Sequence, residues 1–254
     1  MNRMFSVTLA AGILLAGNLF AKEYFFDTPE AWQNPALLQQ NGEVLTVDGQ
    51  KRLVGKKLIK VKPGASLKIT GTYRAAAGTA KNIVYIGFLA YDRNRNQFAH
   101  INVHPLPDTA PVLTEDAPQG EYTMVIADGS KWKKGQIPVW GAKADLSDLP
   151  NYNVLSRITD IEKTENGWKV TLAARLRIPL PKGTAVRLHS PGGHMYYVFM
   201  STVPGAKDPR PNVIKKIWPC VRYVRFLVLA NWRGGKDSKL EMIAPKVTVT
   251  EPAE

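Results

Sequence analysis

From residue 43 onward, apolar and polar residues alternate with a period of two, in short runs separated by Gly, Pro, Asn and Asp clusters. That period belongs to extended chain with one buried face, and helical periodicity is nearly absent. About a dozen runs have this character: 43–47, 57–61, 66–74, 82–92, 98–103, 122–128, 155–163, 167–173, 185–190, 194–200, 221–231 and 246–250. Their number and spacing predict an all-β fold with little helix, a two-sheet antiparallel β-sandwich of the jelly-roll kind.

The runs differ in kind. Over 66–73, Leu67, Ile69 and Gly71 alternate with Lys68, Thr70 and Thr72, as in a strand with one wet face. Over 82–91, Val84, Ile86, Phe88 and Ala90 share one face while Ile83, Tyr85, Leu89 and Tyr91 share the other. Such a strand is either covered twice or carries an aromatic platform on its second face. The stretch RLHSPGGHMYYV, Arg187 to Val198, predicts a hairpin with a loop over 190–193. Its register sets His189 opposite His194 and Arg187 opposite Tyr196. These four form a polar face directed outward or into a groove, with Val186, Leu188, Met195, Tyr197 and Phe199 on the core side.

Residues 1–21 carry Arg3, an apolar run from Phe5 to Ala16 and a small-residue end at Ala21, the layout of a secretory signal peptide. The apolar run is shorter than the roughly 20 residues that cross a bilayer, and no later stretch is long and apolar enough to cross one. Residues 22–254 are then expected to form one β-sandwich domain, placed in the periplasm, at the cell surface or outside the cell. Cys220 is the one cysteine, so no intramolecular disulfide framework holds the fold. The net charge is +13. The lysines and arginines are scattered, as at Lys56-Lys57, Lys133-Lys134 and Lys215-Lys216, without a long basic run or a nucleic-acid signature. A nucleic-acid partner is therefore disfavoured, while attraction to an acidic polysaccharide or anionic surface stays open.

The order FFDTPEAWQN, YIGFLAYDRNRNQ, APQGEYTMVIADGSKW, DLPNYN, GTAVRLHSPGGHMYYV and FLVLANW resembles a secreted jelly-roll module of the galactose-binding-like or carbohydrate-binding-module kind. That resemblance implies pairing of the first and last strands, glycan binding through exposed aromatic rings, and in many members a structural calcium ion near a sheet edge.

Sugars present C–H faces that stack on flat rings, and hydroxyls that need a few directed polar partners. Trp140 and Tyr152 flank the polar segment 143–153 and are the best aromatic candidates, with Arg187, His189, His194 and Tyr196 as a polar wall. Asp145 and Asp148, followed by Asn151 and Asn153, supply hard oxygens suited to calcium but lack EF-hand spacing, and turn or capping roles suit them equally. No cofactor is required by any motif. The chain has no G-x-S-x-G elbow, H-E-x-x-H pair or Walker glycine loop. Asp92, Glu115, Asp116 and Asp128 offer carboxylates without a pair being singled out. Three function classes follow: an exported non-catalytic glycan-binding protein, which leads; a polysaccharide lyase or glycoside hydrolase; and a structural or adhesive surface protein.

Overall fold

In the computed structural model, which describes residues 21–79, 82–191, 197–202, 213–215, 217–218 and 220–252, the alternating runs are strands. In chain order these are β1 (Ala21–Phe25), β2 (Gln39–Asn41), β3 (Val44–Asp48), β4 (Lys51–Val54), β5 (Ile59–Lys60), β6 (Ser66–Ala75), β7 (Asn82–Tyr91) and β8 (Gln97–Phe98). There follow β9 (Thr123–Ile126), β10 (Ile137–Trp140), β11 (Ile158–Thr164), β12 (Gly167–Leu172) and β13 (Val186–His189). The last four are β14 (Tyr197–Thr202), β15 (Val213–Ile214), β16 (Tyr223–Trp232) and β17 (Lys239–Thr250). Helix among the described residues is confined to three single 3-10 turns.

Two six-stranded antiparallel sheets make the sandwich. One runs β15-β6-β17-β3-β2 with β1 along β17; the other runs β14-β7-β16-β4 with β5 on β16 and β8 on β7. Alternation decides which side chains lie between them. Leu67, Ile69 and Tyr73 of β6 and Leu240, Met242, Val247 and Val249 of β17 belong to the same buried cluster as Val84, Ile86 and Phe88 of β7 and Val224, Phe226 and Val228 of β16. Burying each such side chain contributes about 1.5–3 kcal/mol. Gly71 sits on the inner face of β6 where β17 bulges between Ile243 and Lys246. Its φ is +124° and an added Cβ would lie 2.8 Å from Pro245 Cα, so the close approach admits no side chain.

The outer face of the second sheet answers the alternatives for residues 82–91. Val54, Leu89, Leu227 and Leu229 form a separate buried cluster there, with Tyr85, Tyr91 and Trp232 packed half-buried against it. The Arg225 guanidinium lies over the Tyr91 ring, 5.9 Å from its centroid.

Between β8 and β14 the chain leaves the sandwich and builds a second core. Strands β9, β12 and β11 form a three-stranded sheet and β10 with β13 a two-stranded one. Leu113, Met124, Ile126, Trp132, Ile158, Val170, Leu176, Val186 and Leu188 pack together among them.

Two expectations are corrected by this topology. The described strands on either side of the expected hairpin loop do not pair with each other: β13 pairs with β10, with Val186 opposite Trp140 and His189 opposite Ile137, whereas β14 pairs with β7, with Tyr197 opposite Gly87. The reason is that β13 is buried along its whole length, Val186 and Leu188 entering the second core while Arg187 and His189 are satisfied by polar groups described below. Residues 98–103 are not a strand beyond Phe98. The Asn102 side chain accepts from Ala99 N–H at 2.9 Å and Asn102 N–H donates to Ala99 O, which curls 100–102 into a 3-10 turn.

Candidate functional site

Trp140 ends β10, and its backbone is held by the loop that follows Pro150. Trp140 N–H donates to Asn153 O at 3.1 Å, while Trp140 O accepts from Asn151 Nδ2 at 3.1 Å and Asn153 Nδ2 at 3.3 Å. Asn153 N–H donates in turn to Asn151 Oδ1, an Asx turn that fixes the loop's direction. Leu155 N–H donates to Pro138 O, so residues 153–155 run alongside β10. Tyr152 is left at the edge, 52% exposed.

The facing wall is residues 172–178. Ser156 Oγ accepts from Ala174 N–H at 2.9 Å and its hydroxyl also lies within donor reach of Ala174 O at 3.2 Å. Leu176 is anchored in the second core and its N–H donates to Glu121 O, so its neighbours Arg175 and Arg177 project outward and are exposed. The Arg175 guanidinium lies 5.3 Å from the Tyr122 ring centroid, which limits its rotation.

These two walls enclose an open groove of about 420 Å³. Trp140 and Tyr152 line it together, with Asn153, Ser156, Arg175 and Arg177 as its principal polar groups. Burial raises the Tyr152 phenol above its ordinary value and the Asp92 carboxylate adds to the rise, so the ring carries a neutral hydroxyl at pH 7.

Arg187 and His189 are elsewhere, and the expectation that they look outward or into a groove is corrected: Arg187 is 4% exposed and His189 is fully buried. Arg187 Nη2 donates to Asp148 Oδ2 at 2.8 Å, Nη1 donates to Lys143 O at 3.1 Å, and Nε and Nη2 donate to His189 Nε2 at 3.1 and 3.0 Å. His189 Nδ1–H donates to Ile101 O, so the imidazole is the neutral tautomer with an accepting Nε2. Burial pushes the His189 pKa down, opposed by the Ile101 carbonyl and reinforced by Arg187. His194 and Tyr196 lie outside the described residues.

Asp148 is committed to this network. Burial pushes its carboxyl up, but hydrogen bonds from Asn151 Nδ2, Lys143 N–H and Arg187 outweigh that and hold it below the ordinary value. Asp145 is exposed and accepts from Ser147 N–H at 3.0 Å. The two carboxylates proposed for calcium thus serve different partners. Among the described residues no three or more His, Cys, Asp or Glu side chains are grouped to hold a metal ion.

A second cleft, of about 660 Å³, lies where the second core meets the sandwich, and sequence reasoning passed over it. His104 lines it beside Trp218, Cys220, Arg222 and Asp145. His104 Nδ1 and His100 Nε2 are 2.7 Å apart, and both rings pack edge-on to Trp218 at 5.3 and 6.0 Å. Burial, with His104 adding, lowers the His100 pKa. Burial pushes the Cys220 thiol up to about 11, leaving it a poor nucleophile. The i, i+4 spacing of His100 and His104 was the available signal.

No protein-family model matches the chain, and no curated protein matches it.

Proposed function

We propose that this protein is an exported, non-catalytic carbohydrate-binding protein of the galactose-binding-like kind, which recognises a glycan in the groove between Trp140–Ser156 and Leu172–Ile178. One observation carries the reading: two aromatic side chains separated in sequence by a polar loop line a single open groove with amide, hydroxyl and guanidinium groups between them. A pyranose needs that combination, a ring face to stack against and a few directed hydrogen bonds. The sandwich and the leader-like residues 1–21 agree with a secreted jelly-roll module.

Native affinity electrophoresis through gels containing neutral and acidic polysaccharides tests it. Retardation is expected on at least one polymer, with Tyr152→Ala weakening it roughly tenfold, about 1.4 kcal/mol for the lost ring contact. Retardation on none, or retardation indifferent to Tyr152→Ala, overturns the reading.

A polysaccharide lyase or hydrolase is the second reading. It is favoured by the His100–His104 pair, whose His104 lines the junction cleft together with Arg222. It predicts unsaturated or new reducing ends after incubation with acidic glycans, and their absence with His104→Ala.

A further inference from the structure

Charge separates the aromatic groove from the other clefts described. Its lining holds two arginines and no carboxylate, whereas the cleft near Phe25 mixes Glu23 and Glu30 with Lys56, Lys57 and Arg95, and the junction cleft mixes Asp145 with Arg222. None of the ion pairs among the described residues involves Arg175 or Arg177. Elsewhere on the surface cations do find anions, as in Lys131 with Asp108 and Lys134 with Asp160. The two groove arginines are thus not engaged in an ion pair, and Arg175 is steadied by the Tyr122 side chain, which hydrogen-bonds it and lies beneath its guanidinium.

A guanidinium fork matches the paired oxygens of a carboxylate or sulfate, and presents fixed donors to them with less loss of freedom than a lysine would. The backbone strengthens the fit. Leu176 is buried in the second core between the two arginines, its N–H on Glu121 O and its carbonyl accepting from Gly120 N–H, so both side chains leave from a fixed chain. Across the groove stand the Tyr152 ring and the Asn153 side chain for uncharged hydroxyls.

We infer that the groove takes an acidic glycan, one whose residues carry carboxylate or sulfate groups spaced to meet Arg175 and Arg177 while a sugar face stacks on Tyr152. This rests on the carbohydrate-binding reading and specifies its ligand. A chain of net charge +13 will attract any polyanion loosely, so the test separates a built site from diffuse attraction.

The full chain, in wild-type form and as Tyr152→Ala, Arg175→Gln/Arg177→Gln and Lys51→Gln/Lys236→Gln, is run in affinity electrophoresis and titrated calorimetrically. The last pair removes the same charge from the start of β4 and the turn between β16 and β17, both distant in sequence from the groove. Polygalacturonate against its methyl ester reports a carboxylate ligand; a sulfated galactan against its desulfated form reports a sulfate ligand. Expected is binding to one acidic polymer, lost roughly tenfold or more on esterification or desulfation and by a similar factor in Arg175→Gln/Arg177→Gln, with less than about a twofold change in Lys51→Gln/Lys236→Gln. Tyr152-dependent binding that is equal for neutral and acidic forms overturns the acidic ligand and leaves carbohydrate binding standing. Equal losses in the two double variants, with no effect of Tyr152→Ala, reduce the binding to diffuse charge and overturn the inference. No binding to any polymer overturns both. Thermal melting of each variant near the wild-type midpoint confirms that binding losses are local.

Discussion

Removing the charge of Arg187 tests the polar network most directly. The guanidinium makes five donor contacts, to His189 Nε2 twice, to Lys143 O, and to both oxygens of Asp148 at 2.8 and 3.5 Å. Arg187→Met keeps most of the volume and deletes all five. Asp148, whose side chain is 7% exposed, is then an anion out of water with only Asn151 and Lys143 N–H as donors, and His189 Nε2 loses its donor. Breaking a buried pair from one side costs about 3–5 kcal/mol, a large share of a domain's total stability of roughly 5–15 kcal/mol. Asp148→Asn should cost a similar amount by stranding the guanidinium. The double variant should cost less than the sum of the two singles by about 2 kcal/mol or more, because neither stranded charge is left. Urea denaturation followed by tryptophan fluorescence at pH 7 measures all four corners of the cycle. Single variants within about 0.5 kcal/mol of wild type, or strict additivity, would refute the assignment of a buried, mutually dependent pair. The network also holds Lys143 to Asn151, the loop that ties Trp140 to Asn153, so Arg187→Met should weaken glycan retention even where the protein remains folded.

Two further outcomes follow from the same geometry. Gly71→Ala should destabilise by about 1–3 kcal/mol, since the new methyl meets Pro245 and Ala244 backbone atoms at a positive φ; an unchanged urea midpoint would show that the bulge in β17 yields freely. His189 and His100 have pKa values below the ordinary histidine value of about 6.5, so below that pH the unfolded chain binds more protons than the folded one. Their stabilisation is fully present above about pH 6.5 and is lost as pH falls toward the folded values; the urea midpoint should drop between pH 7 and pH 5, and less steeply in His189→Gln, an equal slope in both counting against burial of a neutral imidazole.

What was legible in the sequence follows from how far each signal reaches. Strands β6, β7 and β16 could be placed because their inward residues alternate over ten positions, and β7 and β16 showed two apolar faces that both prove to be packed. Strand β10 escaped notice, being four residues with Pro138 inside, and it is the strand that pairs with β13. Without it, the two runs either side of Ser190 to Gly193 had only each other as partners. Arg187 and His189 were assigned to a wet face because alternation marks polar residues as outward, and no local pattern announces a buried Asp148 or an Ile101 carbonyl waiting for them. Trp140 and Tyr152 stood out by flanking an Asn- and Asp-rich loop. Arg175 and Arg177 did not, since they reach the groove only through the distant bonds of Leu176 with Glu121 and of Ser156 with Ala174.

The central strands of the sandwich are also the latest in the chain. Strand β16 lies between β7 and β4, and β17 between β6 and β3, while Ala21 of β1 waits for Thr250 as its partner. During synthesis at roughly 5–20 residues per second, β3, β4, β6 and β7 leave the ribosome with apolar faces and no middle strand to join them. The segment carrying the aromatic groove has nearer partners, β9, β11 and β12 being complete before β14 exists. The groove-bearing segment can therefore complete its contacts before residues 223–250 emerge, and the long-range pairing that a slow folding step would require lies in the sandwich.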